Sequence, residues 1–202
     1  MQYQVSAVLL AAGSARRMGQ LKQLLPLGSL TAIEHCANTV LSSGVSDVVL
    51  VISSDGAAVS SAIEPLPIRV AVNPDNGSDM AASVRVGLNA LEDSASAVMI
   101  CLADHPLVLQ ETINAMLATH QKNPEAVIIP SHNGRRGHPT LFPRKIIQEI
   151  FERSSLRDII AAHVGMIVYE NTEDDGVLLD MDTPEDYERI LDKFSNNEQK
   201  KI

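Results

Sequence analysis

The chain has 202 residues, with 16 Lys plus Arg against 25 Asp plus Glu, a formal charge of −9 with histidines neutral. That balance excludes a generally basic nucleic-acid binder, and an aromatic content of 3% with no Trp argues against a base-stacking platform. At 45% hydrophobic and 20% charged residues the chain is globular rather than disordered, and its core must be built from Ala, Val, Ile, Leu and Met.

In the first strand run, Gln4 to Ala12, the apolar stretch Val5 to Ala12 has the length of a signal-peptide core, but no Lys or Arg precedes it while Arg16 and Arg17 follow it. It reads as a buried strand in a cytoplasmic protein. Helical spacing follows at Ala32, Cys36 and Val40, then strands at Asp47 to Ile52 and Ile68 to Val72. After Asn76 and Gly77 comes a second helix through Val84, Leu88 and Leu91, then strands at Ala97 to Leu102 and Ala126 to Ile129. These five strand runs are apolar throughout rather than alternating, as expected of strands buried on both faces. Strand then helix, repeated four times, predicts a parallel sheet with helices on both faces. Further along, the pattern predicts an apolar piece at Thr140 to Phe142, a helix over Pro143 to Arg153, strands at Met166 to Tyr169 and Val177 to Met181, and a helix from Pro184 to Phe194. Residues 1–194 are expected to form one domain, with 195–202 a frayed polar tail. No apolar run approaches the roughly 18 residues of a membrane helix. Cys36 and Cys101 sit in apolar segments without Cys-x-x-Cys spacing, which favours a reducing compartment and no structural zinc.

In an open α/β sheet the ligand site lies outside the carboxyl ends of the strands, so the residues after each strand carry the chemistry. The first such loop runs from Leu10 to Gly28 and holds Gly13, Arg16, Arg17, Gly19 and Lys22. Glycines let backbone N–H groups approach a polyphosphate and the cations neutralise it, although the spacing fits neither the dinucleotide nor the Walker fingerprint, and a solvated loop is the alternative. Asp104 and His105 end the fourth of the five runs. The carboxylate suits Mg²⁺, which takes one or two carboxylates plus water and phosphate oxygens, or it caps a helix starting near Leu107; His105 alone reads as a loop residue. Near the end, Thr183, Pro184 and Asp186 form a helix start resembling a capping box, leaving Asp180 and Asp182 on one face of the expected strand end, where with Asp104 they could hold a divalent metal. The run Glu173-Asp174-Asp175 reads as a solvated loop. Asn73 to Arg85 looks like a turn feeding a helix whose amino end could bind an anion, and Asn133 to Pro139, with Arg135, Arg136 and His138, reads as a substrate-phosphate loop or a solvated one.

Together these motifs resemble the nucleotidyltransferases that act on the molybdenum cofactor, a branch of the glycosyltransferase-A-like nucleotidyltransferases. The resemblance rests on Leu-Ala-Ala-Gly13, Arg17-Met-Gly19, Lys22-Gln-Leu-Leu-Pro-Leu-Gly28, Met80 through Ser83 with Arg85, Leu102-Ala-Asp104-x-Pro106, Gly137-His138-Pro139 and Asp180-x-Asp182-Thr-Pro-Glu-Asp186, from Val5 to about Leu191. It implies a three-layer α/β/α fold around a mostly parallel, Rossmann-like sheet, and transfer of a nucleotidyl group from an NTP to the terminal phosphate of molybdopterin with release of pyrophosphate. By the same resemblance Leu10, Ala11, Ala12, Gly13, Arg17, Lys22, Asn73 and Ser83 contact the nucleotide, with Lys22, Arg17 and Asp104 catalytic. Asp104 and Asp180 would hold Mg²⁺, or Mn²⁺, with Asp182 the weaker candidate, while Arg135, Arg136 and His138 meet the acceptor. Ala12 and the Lys22-Gln23 pair resemble members that use CTP rather than GTP. The family pattern departs at Ala15, at His105 where Gln is common, and at Ser154 to Ile160, which lacks the Gly-Asp-x-Gly-Ala-Arg of many cytidylyl members. Neither nucleic acid nor membrane is an expected partner, whereas a molybdoenzyme or chaperone is. The competing readings are another phosphorylated acceptor, or a delivery protein without turnover, against which the retention of Lys22, Asp104 and Asp180 argues.

Overall fold

A computed structural model describes residues 4–13, 21–75 and 77–199. In chain order its elements are β1 (Val5–Leu10), β2 (Pro26–Leu27), β3 (Leu30–Thr31), α1 (Ala32–Leu41), β4 (Asp47–Ser53), α2 (Ala57–Ala62), β5 (Arg69–Asn73), α3 (Met80–Ala90), β6 (Ala97–Leu102) and α4 (Gln110–Lys122). They continue with β7 (Val127–His132), β8 (Arg135–Arg136), β9 (Thr140–Pro143), α5 (Arg144–Ile147), α6 (Leu156–Ala162), β10 (Ile167–Asn171) and α7 (Pro184–Gln199). The main sheet has the order β10-β7-β9-β6-β1-β4-β5, with β8 folded back on β7. β1 pairs in parallel with both β4 and β6, whereas β9 runs antiparallel to β6 and β7. The chain therefore builds outward from β1 to β4 and β5, then crosses to β6 on the other side of β1. That reversal opens a crevice at the carboxyl ends of β1 and β6, where a ligand can sit between diverging connections.

Side-chain parity along the strands explains the layers. Leu9, Leu50 and Met99 face one side, where they pack with Ile33, Cys36, Ala37 and Val40 of α1 and Ile113, Met116 and Leu117 of α4. Val8, Val49, Val98, Ile100 and Phe142 face the other, against Val84 and Leu88 of α3 and Ile146, Ile147 and Ile159. A smaller cluster of Leu25, Leu27, Leu107, Met181 and Ile190 seats α7 on the β2–β3 hairpin. The amino ends of α1 and α3 are satisfied by side chains: Thr31 and Glu34 form a reciprocal capping box on α1, and Asp79 accepts from Ala82 N at 2.9 Å on α3. The expected box at α7 is present, with Thr183 N donating to Asp186 Oδ2 at 3.1 Å and Asp186 N to Thr183 Oγ1 at 3.2 Å.

The sequence expectations need four corrections. The run Val177 to Met181 forms no strand: Asp175–Leu178 is a turn of 3₁₀ helix, because Asp174 Oδ1 accepts from Gly176 N at 2.9 Å and bends the chain there. Its apolar residues are buried by packing, Val177 against Gly137 and Met181 in the α7 cluster, without a strand partner. The expected helix over Pro143 to Arg153 is instead α5 followed by a 3₁₀ turn, Gln148–Phe151. β5 is an edge strand that leaves Val70 and Val72 40% and 52% exposed, rather than buried on both faces. The supposed tail at Ser195 is helical, since α7 continues to Gln199.

Candidate functional site

The crevice at the carboxyl edge is a cleft of about 200 Å³ lined by Leu10, Ala12, Gly13, Lys22, Gln23, Ser78, Asp79, Met80, Ser83, Leu102, Ala103 and Asp104. Backbone pairing sets its floor: Ala11 N donates to Val51 O at 2.8 Å and Ala103 N to Leu10 O at 3.0 Å, so the ladder continues one residue past β1 and β6. Beyond Gly13 the glycine loop, with Arg16, Arg17 and Gly19, lies outside the described residues. Across the cleft, Asn73 Nδ2 donates to Ser78 Oγ at 2.9 Å and Ser83 Oγ at 3.0 Å, tying the end of β5 to the first turn of α3.

Lys22 heads a short 3₁₀ turn, Lys22–Leu24, which returns the chain to this edge. Its ammonium donates to Asp104 Oδ2 at 2.6 Å and Asp182 Oδ1 at 2.7 Å. Burial opposes charge on Lys22, but the two carboxylates outweigh it and hold its pKa above the usual lysine value. For Asp104 burial also opposes charge, and a hydrogen bond from His105 together with the Lys22 ammonium drives its pKa well below the usual carboxylate range. Asp104 is therefore an anion with no proton to give, so His105 Nδ1, 2.9 Å from Oδ1, is the donor in that contact.

The same geometry decides what Asp104 is not. The amino end of α4 is capped from a distance by Asp174, whose Oδ2 accepts from Leu109 N at 2.9 Å and Thr112 Oγ1 at 2.8 Å. Asp174 is only 7% exposed, correcting the solvated-loop expectation, and it leaves Asp104 without a capping task. Asp182, ranked behind Asp180 by sequence, is the carboxylate that reaches Lys22, whereas Asp180 is exposed. The reason is the missing strand, which removes the period of two that placed both on one face. Met181 N still donates to Asp104 O at 3.0 Å and brings this segment to the cleft. Among the described residues no group of three or more His, Cys, Asp or Glu side chains gathers as a metal-holding set.

Arg135 and Arg136 make up the exposed strand β8, which follows the Asn133–Gly134 turn, with Arg136 lying over the Tyr169 ring at 5.2 Å. His138 turns inward: His138 N donates to Val177 O at 2.9 Å, and its ring meets that of His105 edge-on at 5.1 Å. Burial, aided by nearby His105, lowers its pKa to about 4, so it is neutral at pH 7. Arg85 is structural, donating to the carbonyls of Ile150 and Arg153. Gln23, used in the sequence reading only as part of the Lys22-Gln23 pair and given no contact there, is 2% exposed and donates from Nε2 to Ala11 O at 3.1 Å and Gly13 O at 3.4 Å. A polar residue inside the run Leu21 to Leu25 was the available signal.

The model for the MobA-like NTP transferase domain matches residues 7–166. Nicotine blue oxidoreductase from Paenarthrobacter nicotinovorans is 27% identical, covering 93% of this chain and 96% of its own. A probable molybdenum cofactor guanylyltransferase from Carboxydothermus hydrogenoformans is 30% identical (96% and 98% covered), and the molybdenum cofactor cytidylyltransferase of Escherichia coli K12 is 24% identical (95% and 97%). Among solved structures, Rv0371c from Mycobacterium tuberculosis H37Rv superposes with a TM-score of 0.82 at 26% identity, covering 95% and 99% of the two chains. A complex of Rv0371c with manganese gives 0.76 at 25% identity, with 94% and 98% covered. With the domain match spanning β1 to the start of β10 and the cleft at the sheet's switch point, the chain belongs to the MobA-like NTP transferase family and is a nucleotidyltransferase.

Proposed function

We propose that the protein transfers CMP from CTP to the terminal phosphate of a molybdopterin-type acceptor in the cytoplasm, releasing pyrophosphate. The observation that carries this reading is the meeting of Lys22, Asp104 and Asp182 beside the backbone of Leu10 to Gly13. Leu10, Ala11, Ala12, Gly13, Asn73 and Ser83 would line the nucleotide, with Arg17 reaching it from the adjoining loop. Lys22 would meet the triphosphate as a point charge. An acceptor phosphate is already anionic near pH 7 and needs no general base, so the protein's task is in-line positioning and neutralisation of charge on the α-phosphate and leaving pyrophosphate. Arg135, Arg136 and His138 would orient the acceptor, the two exposed guanidiniums offering forked donors to a phosphate.

The donor chemistry fits a hard divalent cation. Asp104 is ionised, and it shares one ammonium with Asp182, so both carboxylates are within reach of one ion. Asp104 with Asp182, and Asp180 beside them, would hold Mg²⁺ or Mn²⁺, which supplies charge neutralisation at the phosphates. The manganese complex of a relative supports this choice. A guanylyl reading has support of its own, since the guanylyltransferase relative shares 30% identity. The deciding experiment incubates protein, Mg²⁺ and molybdopterin with CTP or GTP and follows pyrophosphate. CTP is expected to win; GTP used at least as well reverses the base assignment, and no pyrophosphate with either removes the acceptor. A molybdoenzyme or its chaperone is the expected recipient of the product.

A further inference from the structure

Asp104 ends β6 on a loop, and a carboxylate there turns freely unless something fixes its plane. One of its oxygens, Oδ2, faces Lys22 and the cleft. The other, Oδ1, is taken by His105 Nδ1 at 2.9 Å. The His105 ring is itself held: it is 9% exposed, it lies edge-on to His138 at 5.1 Å and 68°, and its backbone N–H donates to Leu102 O at 3.3 Å. His138 in turn is anchored by its N–H on Val177 O. The chain of contacts runs from the Gly137–Pro139 loop through two rings to one oxygen of Asp104.

We infer that His105 is a positioning residue that locks the Asp104 carboxylate with Oδ2 turned to the cleft, and that the His138 ring sets the plane of His105. The inference rests on the metal and nucleotide reading given above. Partners that orient a ligating carboxylate typically change metal affinity or activity by about 10–100-fold when removed. The role of the donor separates from the role of the ring by substitution. His105→Phe keeps the ring against His138 and deletes the donor. His105→Asn keeps a donor, Nδ2 on the same Cγ, and deletes the ring.

The experiment titrates Mn²⁺ into each full-length, nucleotide-free protein, reading free Mn²⁺ by electron paramagnetic resonance, alongside kcat and KM from pyrophosphate release and Tm from melting. Positioning by the donor is expected to weaken Mn²⁺ binding about tenfold and lower kcat by a similar factor in His105→Phe, with KM for NTP within about twofold. His105→Asn is expected to stay within about threefold of wild type in both. The reverse ranking, Asn impaired and Phe intact, assigns His105 to packing and overturns the inference, as does equal loss in both. Should the Phe protein fail to fold, the Asn protein still decides, because a packing role requires its loss. Wild-type protein that takes up no Mn²⁺ and makes no pyrophosphate overturns the metal reading and the positioning role with it. Wild-type protein that does both, beside an unchanged Phe variant, overturns positioning alone.

Discussion

Replacing Lys22 by Met keeps an unbranched stem and removes the one charge shared by Asp104 and Asp182. The side chains of Lys22, Asp104 and Asp182 are 12%, 21% and 44% exposed, so the cluster lies between a surface pair, worth at most about 1 kcal/mol, and a buried one, whose breaking costs about 3–5 kcal/mol. A stability loss of about 1–2 kcal/mol is expected. Turnover should fall more steeply, by about a hundredfold or about 2.7 kcal/mol, the scale of losing one charge-stabilising donor at a transferring group. Mn²⁺ binding should move the opposite way. The ammonium competes with a cation for the same carboxylates, and unit charges about 4 Å apart interact by about 1 kcal/mol in water and more when screened less, so nucleotide-free Lys22→Met should bind Mn²⁺ at least about fivefold more tightly. Pyrophosphate release at saturating acceptor and a Mn²⁺ titration together test this. Unchanged dependence on NTP would refute the phosphate role, and unchanged or weaker Mn²⁺ binding would refute the competition.

Three further expectations concern the scaffold. Asp174→Ala removes the acceptor for Leu109 N, Thr112 Oγ1 and Gly176 N in a buried place, so about 3 kcal/mol and roughly 6–12 °C in Tm should be lost; a shift under about 2 °C contradicts the capping role. His138 is held neutral in the fold to about pH 4 while its unfolded counterpart protonates near 6.5, so the unfolded state binds the extra proton between those values. Wild-type stability relative to His138→Phe should therefore decline as pH falls from about 6.5 to about 4, by up to about 3 kcal/mol, then level off; a flat difference in urea melts across that window removes the argument. Gly137→Ala would place a Cβ 2.5 Å from Val177 O, forcing the His138 loop away from the 3₁₀ turn, and should lower kcat while leaving NTP binding intact; equal damage to NTP affinity would mean the two sides of the cleft are not separable.

What the sequence revealed divides along a physical line. β1, β4, β6 and the faces of α1 and α3 were legible because buried parallel strands and amphipathic helices write their burial into a local period. The Thr183–Asp186 box was legible as a short motif with local mechanics, and Asp104 stood out as a carboxylate just past a strand end. Val177 to Met181 was misread because apolar composition reports burial and not the partner of the backbone, while the bend comes from the neighbouring Asp174, which in sequence looked like part of a solvated acidic run. The exposure of Val70 and Val72 depends on β5 standing at the edge, a property of topology that no window of sequence contains. Asp182 meets Lys22 across 160 residues and the His105 ring meets that of His138, also remote in sequence, so the sequence alone could not place either contact.

The strand β9 carries an implication for how such a protein can diversify. Four of its residues are in register with β6, while a single pair, Ile128 with Leu141, joins it to β7. β7 and β10, by contrast, match over five residues. The sheet is thus two ladders sharing one reversed strand, with the Lys22–Asp104 cleft on one ladder and the Arg135–His138 loop hanging from the other. On the proposed assignment of the two sides, a recombinant that preserves the Ala97-to-Ile100 register against Pro143-to-Thr140 and the Val177 seat beside Gly137 is expected to take the β7-to-β10 stretch of a relative and change acceptor preference without changing NTP preference.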